Sequence, residues 1–274
     1  MLHFQYLFCS FSKLMPQPQP QPLTLEMIEA TRSALSPAVG QAYDYEQRFY
    51  LKRIMKILLI NPNTTQRITD SLVVQAQRAV GATAHIIGLT AKTGPAIIRS
   101  AEDNRVAEQS MVEMAMTLGG GYDAIVLGVS MDTALQSVRA LVPQPVVGMT
   151  EGGLLAACLL GQRIGCLTLG SHMVPLYEQL STRYGLATRV VKWHAPNIAA
   201  AYEVGPNPEI IEALVQECQI LIDDDQADVI VLCAAVLSGY GPWLAPSLRV
   251  PVVDAIQAAA LQAVSLVHLR AAST

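Results

Sequence analysis

The residues best placed for chemistry lie in Asp228-Val-Ile-Val-Leu-Cys233-Ala-Ala-Val-Leu-Ser238-Gly-Tyr-Gly-Pro-Trp243. Four consecutive apolar residues between an acidic segment and a Gly/Ser turn read as a strand buried on both faces. Cys233 closes that run, and in an open parallel α/β sheet the carboxyl ends of the strands face the ligand crevice. A thiol there, partly exposed among backbone N–H groups, is biased toward thiolate. The competing reading is a small buried hydrophobe, because free cysteine is among the most buried residue types. A second group is Asn61-Pro-Asn-Thr-Thr65, directly after another apolar run. Asn61, Asn63, Thr64 and Thr65 could hydrogen-bond a ligand carbonyl or amide; alternatively they build an Asx-turn and cap the next helix. Ser130 and Thr168 offer hydroxyls at two further strand ends. His85, His172 and His194 have no metal-ligand spacing, and His172, just after a strand, is the one to watch.

These groups are positioned by an alternation that begins at Met55. Strands are expected at 57–60, 84–89, 124–127, 145–148, 163–167, 188–193, 229–232 and 251–253. Helices are expected at 66–80, 103–118, 132–141, 151–160, 173–184, 208–223 and 255–269. Strands separated by helices of this length argue for parallel βαβ units. An internal repeat sharpens this. Asp123-Ala-Ile-Val-Leu-Gly128 matches Asp228-Val-Ile-Val-Leu-Cys233 at an offset of 105, and Pro145-Val-Val-Gly148 matches Pro251-Val-Val-Asp254 at 106. Lys56-Ile-Leu-Leu-Ile60 lies on Arg163-Ile-Gly-Cys-Leu167 at 107. The expected fold is α/β: two pseudosymmetric, Rossmann-like domains with parallel sheets and the active site in the cleft between them, where 128–132 faces 233–238. The boundaries read as an extension at 1–54, a first domain at 55–150 completed by the helix at 254–270, and a second domain at 151–253. Within the extension, Pro16-Gln-Pro-Gln-Pro-Gln-Pro22 is a polyproline-type spacer, followed by short helices near 24–35 and 43–53.

Asn61-Pro-Asn-Thr-Thr65 resembles the N-P-N-T-[ST] opening of hydantoin and allantoin racemases, in the Asp/Glu racemase superfamily. Pro145-Val-Val-Gly-Met-Thr-Glu151, Gly161-Gln-Arg-Ile-Gly-Cys-Leu-Thr168 and Val250-Pro-Val-Val-Asp254 are similar too, so the resemblance runs from Met55 to about Leu269. It implies cofactor-independent chemistry at a carbon next to a carbonyl, with one thiol per domain on opposite faces of the substrate. The family's second-thiol segment, Gly-Cys-Ala-Gly-Met, stands here as Leu-Cys-Ala-Ala-Val, which makes Cys233 the expected catalytic thiol. The first-thiol segment reads Leu127-Gly-Val-Ser-Met-Asp132 where the family has Cys-Phe-Gly-Asp. Counting back from Asp132 puts Val129 at the cysteine position, and the internal repeat puts Gly128 there.

A small residue followed by a hydroxyl, opposite a lone second-domain cysteine, is closer to the arylmalonate decarboxylases. Deprotonation at the α-carbon needs a base on one face and donors for the enolate oxygen, and racemisation needs a second proton-transfer group on the other face. Decarboxylation reaches the same enolate and needs one proton donor. The resemblance therefore implies a thiol-dependent racemase or epimerase first, a one-thiol decarboxylase or isomerase second, and a degenerate ligand-binding member third. The substrate-binding set it implies is Asn61, Asn63, Thr64, Gly128, Val129, Ser130, Thr168, Ala234 and Ala235. Asp132 and Asp254 read as helix caps, Cys158, Cys166 and Cys218 as packing, and Tyr240 and Trp243 as pocket wall or loop packing.

Composition narrows the partners. A net charge of −4 carries no basic footprint, which argues against nucleic acid. Five cysteines without C-x-x-C or Cys/His spacing fit a reducing, cytoplasmic setting with free thiols and no metal. No apolar run reaches the roughly 18–20 residues that span a bilayer. The expected partner is a small-molecule substrate, with no cofactor, no nucleic acid and no membrane; assembly into a homo-oligomer is left open.

Overall fold

The computed structural model describes residues 54–198 and 208–272; the helices expected near 24–35 and 43–53 lie outside the described residues. The strands are β1 (Met55–Asn61), β2 (Ala84–Thr90), β3 (Ala124–Leu127), β4 (Val146–Gly148), β5 (Ile164–Leu167), β6 (Val190–His194), β7 (Val229–Leu232) and β8 (Val252–Asp254). The helices are α1 (Gln66–Val80), α2 (Ala101–Leu118), α3 (Leu135–Leu141), α4 (Met149–Ala157), α5 (Val174–Arg183), α6 (Pro208–Asp223), α7 (Gly241–Leu244) and α8 (Ala255–Ala271). The fold is α/β, with two parallel four-stranded sheets ordered β2-β1-β3-β4 and β6-β5-β7-β8. The internal repeat thus becomes a repeat of topology. β3 and β7 run beside β1 and β5 in the same register, Leu127 level with Ile60 and Leu232 level with Leu167. All residues of β3 and β7 are buried, which is why both read as unbroken apolar runs.

The C-terminal helix returns to the first sheet. α8 packs on α1, α4, β3 and β4, burying Ile256, Ala259, Ala260 and Ala263. Its seam with α4 is tight because the facing residues are small. A Cβ built on Gly152 would lie 2.9 Å from the Ala259 Cα, and one on Gly153 would lie 2.8 Å from the Ala255 Cβ.

In each half the last strand runs straight into its helix, and a buried carboxylate serves the exposed amides of the first turn. Asp254 does this for α8, accepting from Ile256 N at 3.1 Å and Gln257 N at 3.4 Å, and it also accepts from Gly239 N at 2.6 Å. The matching position in the first half is Gly148, which has no side chain. Asp132 reaches in from the loop after β3 instead, accepting from Thr150 N at 2.9 Å and Glu151 N at 2.8 Å. Asp132 therefore caps α4, a helix distant in sequence, and does not begin the one that follows it. Asp132 and Ala134 have φ of 47° and 60°, so the helix expected from 132 begins at Leu135. Among the described residues no helix is long and apolar enough to cross a membrane.

Candidate active site

The carboxyl ends of β1, β3, β5 and β7 open on a cavity of about 600 Å³. Of the residues expected there, Asn63, Gly128, Val129, Ser130, Thr168, Ala234 and Ala235 line it. Asn61, Thr64 and Cys233 are not in its wall.

Asn61 is fully buried and spent on the turn that follows β1. Its Nδ2 donates to Asn63 Oδ1 at 2.9 Å and to Thr69 Oγ1 at 3.0 Å, and its Oδ1 accepts from Asn63 N at 3.2 Å. Asn63 Oδ1 also accepts from Thr65 N at 3.0 Å, which leaves the Nδ2 amide as the end of Asn63 that can meet a ligand. The two threonines act on a neighbouring loop. Thr64 N donates to the Pro95 carbonyl at 3.0 Å, and Thr65 Oγ1 donates to the Ala96 carbonyl at 2.7 Å. Thr65 makes no side-chain cap on α1. Anchored in this way, loop 91–100 brings Ile97, Ile98 and Arg99 into the cavity wall. The sequence reading missed this loop; the signal was an Ile-Ile pair in a Gly-Pro-containing stretch outside any helix or strand.

The strand ends of β3 and β7 make the same ladder hydrogen bond to the neighbouring strand. Gly128 N donates to the Ile60 carbonyl at 2.8 Å, and Cys233 N donates to the Leu167 carbonyl at 2.8 Å. Both residues aim their Cβ direction into the core. A Cβ on Gly128 would meet Leu59 Cδ2 at 2.8 Å and Leu72 Cδ1 at 3.0 Å. Cys233 is 0% exposed and packs with Val229, Val231 and Cys166 in the core. Its thiol lies against that of Cys166; burial pushes the Cys166 thiol well above its usual range, and the Cys233 thiol adds to the rise. Because side chains alternate along a strand, the next residue in each half turns to the cavity. Those residues are Val129 and Ala234. The expectation that Cys233 points into the cleft is thus corrected by one residue of phase. Cys166 packs as expected, and Cys233 shares its buried face instead of facing outward.

Around these two positions stand hydroxyl and amide groups. Ser130 Oγ and Tyr177 Oη are 2.7 Å apart, and Tyr177 stacks on Trp193 with ring centroids 4.7 Å apart. Thr168 Oγ1 donates to the Cys233 carbonyl at 3.5 Å. His172 lies in the wall and its Nε2 bonds the Arg99 carbonyl. A carbonyl only accepts, so Nε2 carries a proton and Nδ1 is the ring nitrogen not committed to that bond. Tyr240 is buried away from the cavity and Trp243 is exposed. Among the described residues no cluster of three or more His, Cys, Asp or Glu could hold a metal ion.

Asp132 holds the cavity-forming loop from behind. Burial pushes its carboxyl up to about 6, against the opposing pull of the Tyr184 hydroxyl at 2.7 Å and the Glu151 and Thr150 amides. A carboxyl raised in the folded state contributes stability below its unfolded value of 3.8 and loses it as pH rises through about 6. Two units correspond to about 3 kcal/mol. In denaturant titrations, the stability of the parent protein relative to Asp132→Asn is expected to fall by that order between pH 4 and pH 7. A difference that stays flat with pH would contradict it.

A sequence profile described as Asp/Glu/Hydantoin racemase matches residues 57–263. The chain belongs to that family. Three of the relatives it matches, at 28–30% identity, carry the name hydantoin racemase. The hydantoin racemase of Pseudomonas sp. (strain NS671) is 30% identical over 217 residues, covering 78% of this chain and 87% of that protein. Among solved structures, the allantoin racemase from Pseudomonas fluorescens superposes with a TM-score of 0.74 at 28% identity, over 79% of this chain and 92% of that one. A mutant of arylmalonate decarboxylase superposes at 0.55 with 21% identity, over 78% and 93%, which is a likeness of fold.

Proposed function

We propose that this member of the racemase family binds a small carbonyl or carboxylate compound in the cleft and does not invert it by way of thiols. The observation that carries the reading is that Val129 and Ala234, each one position past the paired strand ends of the two halves, line the cavity. Neither side chain can take or give a proton. Cys233, the nearest thiol in sequence, is sealed in the core against Cys166. What remains in the wall is suited to holding a ligand oxygen: the Asn63 amide, the Ser130–Tyr177 hydroxyl pair and Thr168.

A second reading is favoured by His172. With Nε2 committed to the Arg99 carbonyl, Nδ1 is a base on the cavity wall that could exchange a proton from one face of the ligand. Incubation in deuterium oxide with 5-substituted hydantoins, allantoin and substituted malonates separates the two. Binding without deuterium uptake, inversion or carbon dioxide release is expected. Deuterium uptake lost in His172→Gln and kept in Cys233→Ala would establish the second reading. Inversion that drops at least ~100-fold in Cys233→Ala, the low end for a proton-transfer group, would overturn both.

A further inference from the structure

The cavity wall made by Val129, Ser130 and Met131 belongs to a loop that α5 holds at two points. Tyr177 lies in the first turn of α5 and Tyr184 is its C-cap residue. Seven residues apart, they share one helix face and stand roughly 10 Å from each other along the axis. Tyr177 Oη lies 2.7 Å from Ser130 Oγ, and Tyr184 Oη donates to Asp132 Oδ2 at 2.7 Å. Between these points the backbone is irregular, with positive φ at Asp132 and Ala134. Non-glycine residues keep such a conformation only where their surroundings over-determine it. Further holds come from Thr133 Oγ1, which donates to Asn104 Oδ1 at 2.5 Å, and Thr150 Oγ1, which donates to the Ser130 carbonyl at 2.5 Å. Gly148 leaves room for the carboxylate, because a Cβ there would lie 2.6 Å from Asp132 Cγ. α5 also meets the cavity directly, through Tyr177 and through Ser171–Met173 just before it.

The Asp132 carboxylate accepts from Thr150 N, Glu151 N and the Tyr184 hydroxyl. The two amides belong to α4, so the phenol is the bond that ties the carboxylate to α5. Burial, and then the neighbouring carboxylate, push the Tyr184 phenol well above its usual range, which keeps it a donor. The other charged groups facing this pair are Glu151 of α4, itself bonded to Arg139 of α3 at 2.5 Å, and Arg183 beside the phenol. We propose that Tyr184 is a positioning residue for the cleft: through the Asp132 carboxylate its hydroxyl fixes loop 129–134 and joins the Val129–Met131 wall to the wall carried by α5. That this wall meets a ligand rests on the cleft being the ligand site; the linkage itself does not. The Tyr184 bond pulls the Asp132 carboxyl down against the burial that sets it at about 6. Removing the bond therefore costs more above that pH, where the carboxyl is ionised, than below it.

Tyr184→Phe keeps the ring and removes only the hydroxyl. In hydrogen exchange of the full chain at pH 7.5, the Asp132, Thr150 and Glu151 amides are expected to exchange at least ~10-fold faster in this variant, the scale of one hydrogen bond to a charged group. The Cys233 amide, bonded to the Leu167 carbonyl, should be unchanged. At pH 5 the acceleration should shrink below ~3-fold, the range of a bond between neutral partners. The cavity side is read by iodoacetamide alkylation of Val129→Cys and Ala234→Cys, each with and without Tyr184→Phe. Local opening of the loop should speed alkylation at 129 by at least ~5-fold and leave 234 within ~2-fold. Unchanged exchange, or equal acceleration at both pH values, would overturn the role of the hydroxyl on the carboxylate. Alkylation unchanged at 129, or faster at both positions, would overturn the positioning of the wall. No ligand is present in either experiment, so these failures leave the ligand reading of the cleft to its own deuterium test.

Discussion

Placing cysteine at both cleft positions, Val129→Cys together with Ala234→Cys, is expected to raise inversion of 5-substituted hydantoins at least ~100-fold above either single variant. Both residues line one cavity, each one position past an equivalent strand end, which on the proposed reading puts the thiols on opposite sides of a bound carbon. A single thiol can only remove and return the proton on one face, which exchanges deuterium without inverting the centre. Two thiols complete the exchange. Valine and alanine are close enough to cysteine in volume for the core to absorb the changes. Decay of circular dichroism in deuterium oxide, with mass spectrometry for label uptake, reads both events. Inversion by the parent protein at the rate of the double variant would show that the cleft already holds two proton-transfer groups.

The largest loss of stability is expected at the seam of α4 and α8. Gly152→Leu puts a branched side chain where even a Cβ would lie 2.9 Å from the Ala259 Cα, 3.0 Å from its Cβ and 3.3 Å from its N. Backbone cannot rotate away as a side chain can, so the helices must separate. Separation strips α8 from the first sheet, where Ile256, Ala259 and Ala260 are buried. Overpacking of this kind costs about 3 kcal/mol or more, which for a chain of this size lowers the melting temperature by roughly 6–12 °C. Gly121→Ala is the control, since its Cβ would meet nothing within 4 Å. Equal melting temperatures for Gly152→Leu and Gly121→Ala would show that the seam is loose.

Periodicity was enough to read the strands and most helices, because parallel strands buried on both faces leave unbroken apolar runs and the helices between them carry one apolar stripe. The helices at 66–80 and 208–223 match their expected bounds. The repeat offsets of 105–107 were legible as topology for the same reason: matching residues take matching places in two sheets of one strand order. Contacts between distant segments were not legible. Asp132 caps α4 across 18 residues, and Thr65 ties down loop 91–100 across 31, so neither the cap nor the Ile97–Arg99 wall could be read locally. Asn61 has the type of a ligand donor, but its amide is spent within the turn. Cys233 shows how little separates a site residue from a core residue. At the end of a strand one position of phase reverses the side chain, and a motif aligned on the cysteine alone carries no phase. The ladder bond shared by Gly128 and Cys233 supplies it.

Thiol accessibility, residue by residue, tests the central claim most directly. The folded parent protein and Ala234→Cys are treated with iodoacetamide, and alkylation of each cysteine peptide is followed by mass spectrometry. Cys233, at 0% exposure, is predicted to remain unmodified until denaturant unfolds the chain, whereas the cysteine introduced at 234 alkylates in the folded protein and is protected by a bound ligand. Alkylation of Cys233 in the folded parent protein, slowed by ligand, would contradict the account and return the thiol to the cleft.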